Sequence, residues 1–156
     1  MGRIRKGNHS TAGILLILAS IGLVLSGCEE SYDSKFADYR EARERGHVAK
    51  GWIPDCLPDK AHSFLERHDL DTNEVWLFFR FTPWEHDALR AVLKERRGDE
   101  WRFFVRRSPP PFWWPKSLPR RVKFYTFATQ PPCRPYYQAA YVAVDWEAGY
   151  AYFKSP

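Results

Sequence analysis

Three cysteines are all that the 156 residues contain, and no two of them form a CxxC pair. HExxH and paired Cys/His spacings are missing too, so the sequence gives a zinc centre no basis. There is no GxSxG, no cysteine nucleophile in a fitting context and no glycine-rich phosphate loop, which removes the common hydrolase and nucleotide-binding patterns. No apolar run reaches the ~20 residues of a bilayer-spanning helix. No internal repeat is visible, so solenoids and propellers are excluded. Charge of one sign is scarce as well. The formal +5 comes from 24 Lys and Arg against 19 Asp and Glu. Arg3, Arg5 and Lys6 lie in a first segment without acids, which leaves 21 basic against 19 acidic groups in the remainder. The pairs Arg96-Arg97, Arg106-Arg107 and Arg120-Arg121 are short and interspersed with acids, so they read as solvated surface and not as a phosphate-binding face. Nucleic acid is not an expected partner.

What is present is a globular composition, 44% hydrophobic, 28% charged and 17% aromatic, behind an informative leader. Residues 1–27 begin with the basic Arg3, Arg5 and Lys6, continue with an apolar run from Ala12 to Leu25, and end in the small residues Ser26 and Gly27. That is the order of a secretory signal peptide. Gly13, Ser20 and Gly22 interrupt the run, which argues against a permanent span. The tetrad Leu25-Ser26-Gly27-Cys28 resembles the lipobox of bacterial lipoproteins, whose cysteine is acylated before cleavage immediately upstream of it. Three acyl chains on Cys28 would exceed the marginal hold of a single chain and make attachment effectively permanent. The other reading is an ordinary apolar leader beside an incidental cysteine. Glu29 and Glu30 follow, not the aspartate that marks inner-membrane retention in enteric bacteria, so the expected place is the outer membrane, facing the periplasm.

Removing the first 27 of 156 residues leaves 129, enough for one domain with a sizeable core. We expect residues 28–33 to be a polar tether and residues 34–156 a single α+β domain. Cys56 and Cys133 would share an oxidising compartment, and a bridge between them would contribute about 4 kcal/mol in the chain-entropy model. The fold decides whether their Cα atoms come within bonding range.

Tyr32, Phe36, Tyr39 and Arg43 recur at helical spacing before Gly46, which predicts an amphipathic helix near residues 34–45. Pro58-Asp59 can open a short helix with Ala61, Phe64 and Leu65 on one face. Glu74 to Phe81 predicts a central strand, because Val75, Leu77, Phe79 and Phe81 alternate with Trp76 and Phe78 and both faces are apolar. Thr82-Pro83-Trp84-Glu85 matches a capping box, followed by a helix over residues 83–96. Further strands are expected at Trp101–Val105, Val122–Phe127, Tyr137–Asp145 and Tyr150–Phe153, with Gly149 supplying a positive φ in the last hairpin. The four prolines in residues 108–115 make a stiff, aromatic-bearing loop.

Among polar groups, Glu66, His68, Asp69 and Asp71 are the densest cluster. Asp69, Asp71 and Asn73 open like a calcium loop, but Glu74 stands where the turn glycine belongs and Arg80 where the closing glutamate belongs. A polar turn, with Asp71 or Asn73 bonded to its own backbone, explains the same residues. His62, His68 and His86 offer general bases or ordinary structural histidines. Trp113 and Trp114, with Phe112, can either stack on a ligand or fold back over the sheet.

The stretches Ala42-x3-Gly46, Gly51-Trp52-Ile53-Pro54-Asp55, Leu57-Pro58 and His68-Asp69-Leu70-Asp71-Thr72-Asn73 resemble a family of small bacterial lipoproteins and membrane-anchored proteins, the YbbD head-domain grouping. Trp113-Trp114-Pro115 and the tyrosine-rich C-terminal hairpin look similar to it as well. The resemblance implies a small α+β fold and membrane attachment, and no catalytic residues. Cys56 and Cys133 are not part of its pattern.

These readings combine into an α+β fold: a small antiparallel sheet of four to five strands covered on one face by two to three helices. The expected role is a membrane-anchored periplasmic lipoprotein acting as a non-enzymatic binding or accessory module. It has no cofactor or metal, and it meets an envelope protein or peptidoglycan through Trp113, Trp114 and Trp52. The alternative is a cell-wall-directed hydrolase or metal-dependent enzyme using His68, Asp69 and Asp71.

Overall fold

A computed structural model describes residues 30–98, 100–104, 107–128, 133–134, 137 and 139–155. The leader and Cys28 lie outside the described residues. The described residues form one seven-stranded, wholly antiparallel sheet: β1 (Ser31–Asp38), β2 (His62–Asp69), β3 (Val75–Arg80), β4 (Leu93–Arg96), β5 (Lys123–Phe127), β6 (Tyr141–Asp145) and β7 (Tyr150–Lys154). Their spatial order is β1-β2-β3-β7-β6-β5-β4. The described helices are two short ones, α1 (Tyr39–Glu44) and α2 (His86–Val92), with 3-10 turns at Pro83–Glu85 and Glu100–Phe104. The expectation of four to five strands under two to three helices is therefore corrected to a larger sheet with little helix.

The corrections have local causes. Residues 31–38, expected as tether and helix, pair along β2, with Phe36 opposite Phe64 and Tyr32 opposite His68. Only Tyr39–Glu44 is helical, with the Asp38 side chain accepting from the Glu41 N–H at 2.8 Å. Gly46, at φ 81, ends that turn as expected. The segment after Pro58 makes a turn, and Phe64 and Leu65 belong to β2. The helix expected over residues 83–96 is α2 alone, because Leu93–Arg96 leave it to pair with β5, Leu93 lying opposite Phe127. Glu85 does reach back, accepting from the Thr82 N–H at 2.8 Å. Residues 100–104 are a 3-10 turn and not a strand.

β3 lies inside the sheet, as its two apolar faces require. Val75, Leu77, Phe79 and Phe81 enter a large core with Phe36, Phe64, Phe127 and Phe153, roofed by α1, α2 and the 45–61 segment. On the opposite face Trp76 and Ala143 pack under Phe103, Trp114 and Val122. The hairpin between β6 and β7 turns through Gly149 at φ 66, where an added Cβ would lie 2.6 Å from the Phe81 carbonyl oxygen.

Two ties hold the covering segments to the sheet. Cys56 and Cys133 are bridged with their Cα atoms 4.9 Å apart, and Arg134 pairs with Asp55 at 2.8 Å beside them. On the other face Glu74, almost wholly buried, receives the Lys154 ammonium at 3.0 Å, the Arg107 and Ser108 N–H groups and the Ser108 hydroxyl. Burial alone would push its carboxyl pKa up, but these donors hold it below the ordinary range. Glu74→Ala strands the Lys154 charge and frees the loop base, so urea denaturation should show a loss of about 3–5 kcal/mol. Reducing the bridge, which spans a sequence separation of 77, should cost about 4 kcal/mol in the same measurement.

Candidate functional site

The end of the sheet where β1 begins carries the densest polar architecture. On β2, pleat alternation sends Phe64, Glu66 and His68 to the face under the 45–61 segment. The chain reverses after α1 and lays His47 and Trp52 over them. Glu66 is wholly buried. One of its oxygens lies 3.1 Å from His47 Nδ1 and the other 2.8 Å from His68 Nδ1. With an ionised carboxylate both imidazoles donate through Nδ1, and a neutral ring then keeps its lone pair on Nε2. The His68 ring is stacked between Trp52 at 3.5 Å and Tyr32 at 5.3 Å. Lys50 lies over Trp52, 4.4 Å from its ring centre.

Two grooves meet at this stack. One of about 390 Å³ is lined by residues including Tyr32, Ser34, His47, Trp52 and Leu70. The other, about 230 Å³, runs past Trp52, His68 and Leu70 toward Asn73 and Ser155. A carboxylate that orients an imidazole is the arrangement used by general bases and by metal-bound histidines. Among the described residues, however, the ring bonds are to Glu66 and not to a hydroxyl or thiol nucleophile. Among the described residues no group of three His, Cys, Asp or Glu is placed to hold a metal ion.

The residues singled out in the sequence separate. His68 and Trp52 belong to the stack. Asp69 turns into the β2–β3 connection, where it accepts from the Thr72 N–H at 2.8 Å and the Thr72 hydroxyl at 2.9 Å. Those bonds outweigh the rise that burial alone would give its pKa, and hold it low. Asp71 is exposed. The polar turn is thus capped by Asp69 instead of Asp71 or Asn73, and His68, Asp69 and Asp71 do not converge. Trp114 is 6% exposed and stacked on Phe103 at 4.8 Å, Trp113 is half-buried, and Phe112 is 95% exposed at the loop tip. His62 sits near the Lys60 carbonyl oxygen, and His86 packs edge-on to Phe81 and Trp146. Sequence reading missed His47, which carries no local motif and meets Glu66 only through the fold.

Residues 30–80 match the family model of the YbbD head domain. The matched segment contains β1, α1, β2, β3 and the whole His47–Glu66–His68 cluster, and ends before the tryptophan loop. The match points to an envelope-associated protein and names no activity. No curated protein and no solved structure matches the chain.

Burial lowers the His47 pKa from its ordinary value, against the opposing pull of Glu66. Since the unfolded chain then binds the proton more readily, His47 contributes stability above a pH of about 6.5 that declines as pH falls below it. NMR titration should place His47 below the free-histidine value, and lower still in Glu66→Gln.

Proposed function

We propose that the protein is an acylated lipoprotein of the outer membrane, facing the periplasm, whose single domain is a non-enzymatic binding or accessory module. The arrangement of its cysteines carries this reading. Cys56 and Cys133 are consumed by the bridge, which suits an oxidising compartment. The remaining thiol, Cys28, stands three residues before β1 in Leu-Ser-Gly-Cys, where a lipobox would end. The envelope association indicated by residues 30–80 agrees with it.

The contact role moves along the tryptophan loop. Trp114 is spent on covering the sheet and Pro111 is buried, so Phe112 with the half-buried Trp113 is what the stiff loop presents. An exposed ring on a preordered loop binds at low entropic cost. In the periplasm the matching ligands are an envelope protein or the glycan of peptidoglycan. The hydrolase reading is less favoured, since His68 is bonded to Glu66 and Asp69 to Thr72, while Asp71 is exposed.

Expression of the full chain in a Gram-negative host tests the anchor. The intact protein should fractionate with the outer membrane, and mass spectrometry should find lipid on an N-terminal Cys28. Cys28→Ser should leave the leader uncleaved. A soluble product with unmodified Cys28 would overturn the proposal.

A further inference from the structure

We infer that the β1-start end of the sheet docks on the bilayer, with Leu70 and Tyr32 seated in the lipid interface beside the Trp52 groove. This rests on the acylation of Cys28 proposed above and adds an orientation to it. The Leu70 N–H donates to the Glu30 carbonyl oxygen at 3.1 Å, which pins the β2–β3 turn to the first described residue. Two residue steps separate Glu30 from Cys28, a reach of at most about 7 Å. An acyl-bearing Cys28 therefore brings Leu70 to the membrane surface whatever path those two residues take. The apolar side chains at this spot are unusually open, Leu70 at 43% and Tyr32 at 51%. They share one groove with the half-buried Trp52. Aromatic rings with one polar end, beside an aliphatic side chain and a lysine able to reach upward, are the composition that settles at headgroup depth.

The charges here supply no net attraction to anionic lipid. Lys50 is exposed over Trp52, whereas Glu29, Glu30 and Asp71 are acidic, and Asp33 is paired with Arg67. Docking is therefore driven by apolar burial, and a zwitterionic headgroup is sufficient. The grooves beside His68 then open at the headgroup layer, while the β6–β7 turn at the far end of the sheet points away from it.

The test uses the full acylated protein reconstituted into phosphatidylcholine vesicles, with and without phosphatidylglycerol. Since Cys56 and Cys133 are bridged and Cys28 is lipidated, Leu70→Cys or Tyr32→Cys provides a single thiol for a nitroxide, and Glu147→Cys in the far turn is the reference. We expect the label at position 70 or 32 to show a several-fold higher ratio of oxygen to nickel-chelate accessibility than the label at 147, equally in both vesicle types. Equal ratios at the two ends in a sample whose Cys28 lipid is confirmed by mass spectrometry would overturn the docking and leave the anchor intact. Protection that appears only with phosphatidylglycerol would overturn the apolar mechanism. A sample with unmodified Cys28 that does not float with vesicles would overturn the anchor and the docking together.

Discussion

Most of the architecture depends on the carboxylate of Glu74. It sits at the base of the β2–β3 turn with Lys154 from the last strand on one side and the Arg107–Ser108 backbone on the other. A bare carboxylate could not survive there, because removing it from water costs several kcal/mol unless its lone pairs are filled. Filling them recruits two distant parts of the chain. The proline-rich loop is thereby fixed at its root, and Trp114 is delivered onto Phe103 and the otherwise naked side of β3. A sheet apolar on both sides can be stable in water only if something covers each side. Here helices and the 45–61 segment cover one, and an irregular aromatic strap covers the other.

The same logic of filled lone pairs shapes the opposite face. Glu66 lies opposite Ser34 and Leu77 in the sheet, inside what would otherwise be an unbroken apolar layer, and is tolerated because an imidazole meets each oxygen. The aromatic stack of Tyr32, His68 and Trp52 grows outward from that buried acid to the surface. Core and groove are thus one continuous structure.

Strands with a clean two-residue alternation were legible in the sequence, β3 and β7 above all, and so was the glycine turn between β6 and β7. β1 was not, for a geometric reason. Tyr32 and Phe36 are four apart, which is one turn of a helix and equally two full pleats of a strand, so their spacing cannot separate the alternatives. Gly46 marked where a helix stops but not how little of the segment it takes, and Asp38, which caps it, went unread. β2 was hidden because its inward face carries Glu66 and His68, which break the expected alternation of polarity. α2 and β4 share an apolar pattern across Val92 and Leu93, and only the pairing of Leu93 with Phe127 ends the helix there. Of the site, Trp52 and His68 were visible by residue type. His47 was not, since the partner that defines it lies 19 residues away.

The strand order has a consequence for how the polypeptide acquires its shape. β3 is flanked by β2 and by β7, and its register with the latter joins Trp76 to Lys154. The N-terminal meander β1-β2-β3 therefore ends in an open edge, aromatic on both sides, until the last residues arrive to zip against it. Such an edge is a ready template for wrong pairing, and distant pairings form slowly. Assembly is completed from the tail, and any shortened chain that lacks β7 leaves its stickiest strand uncovered.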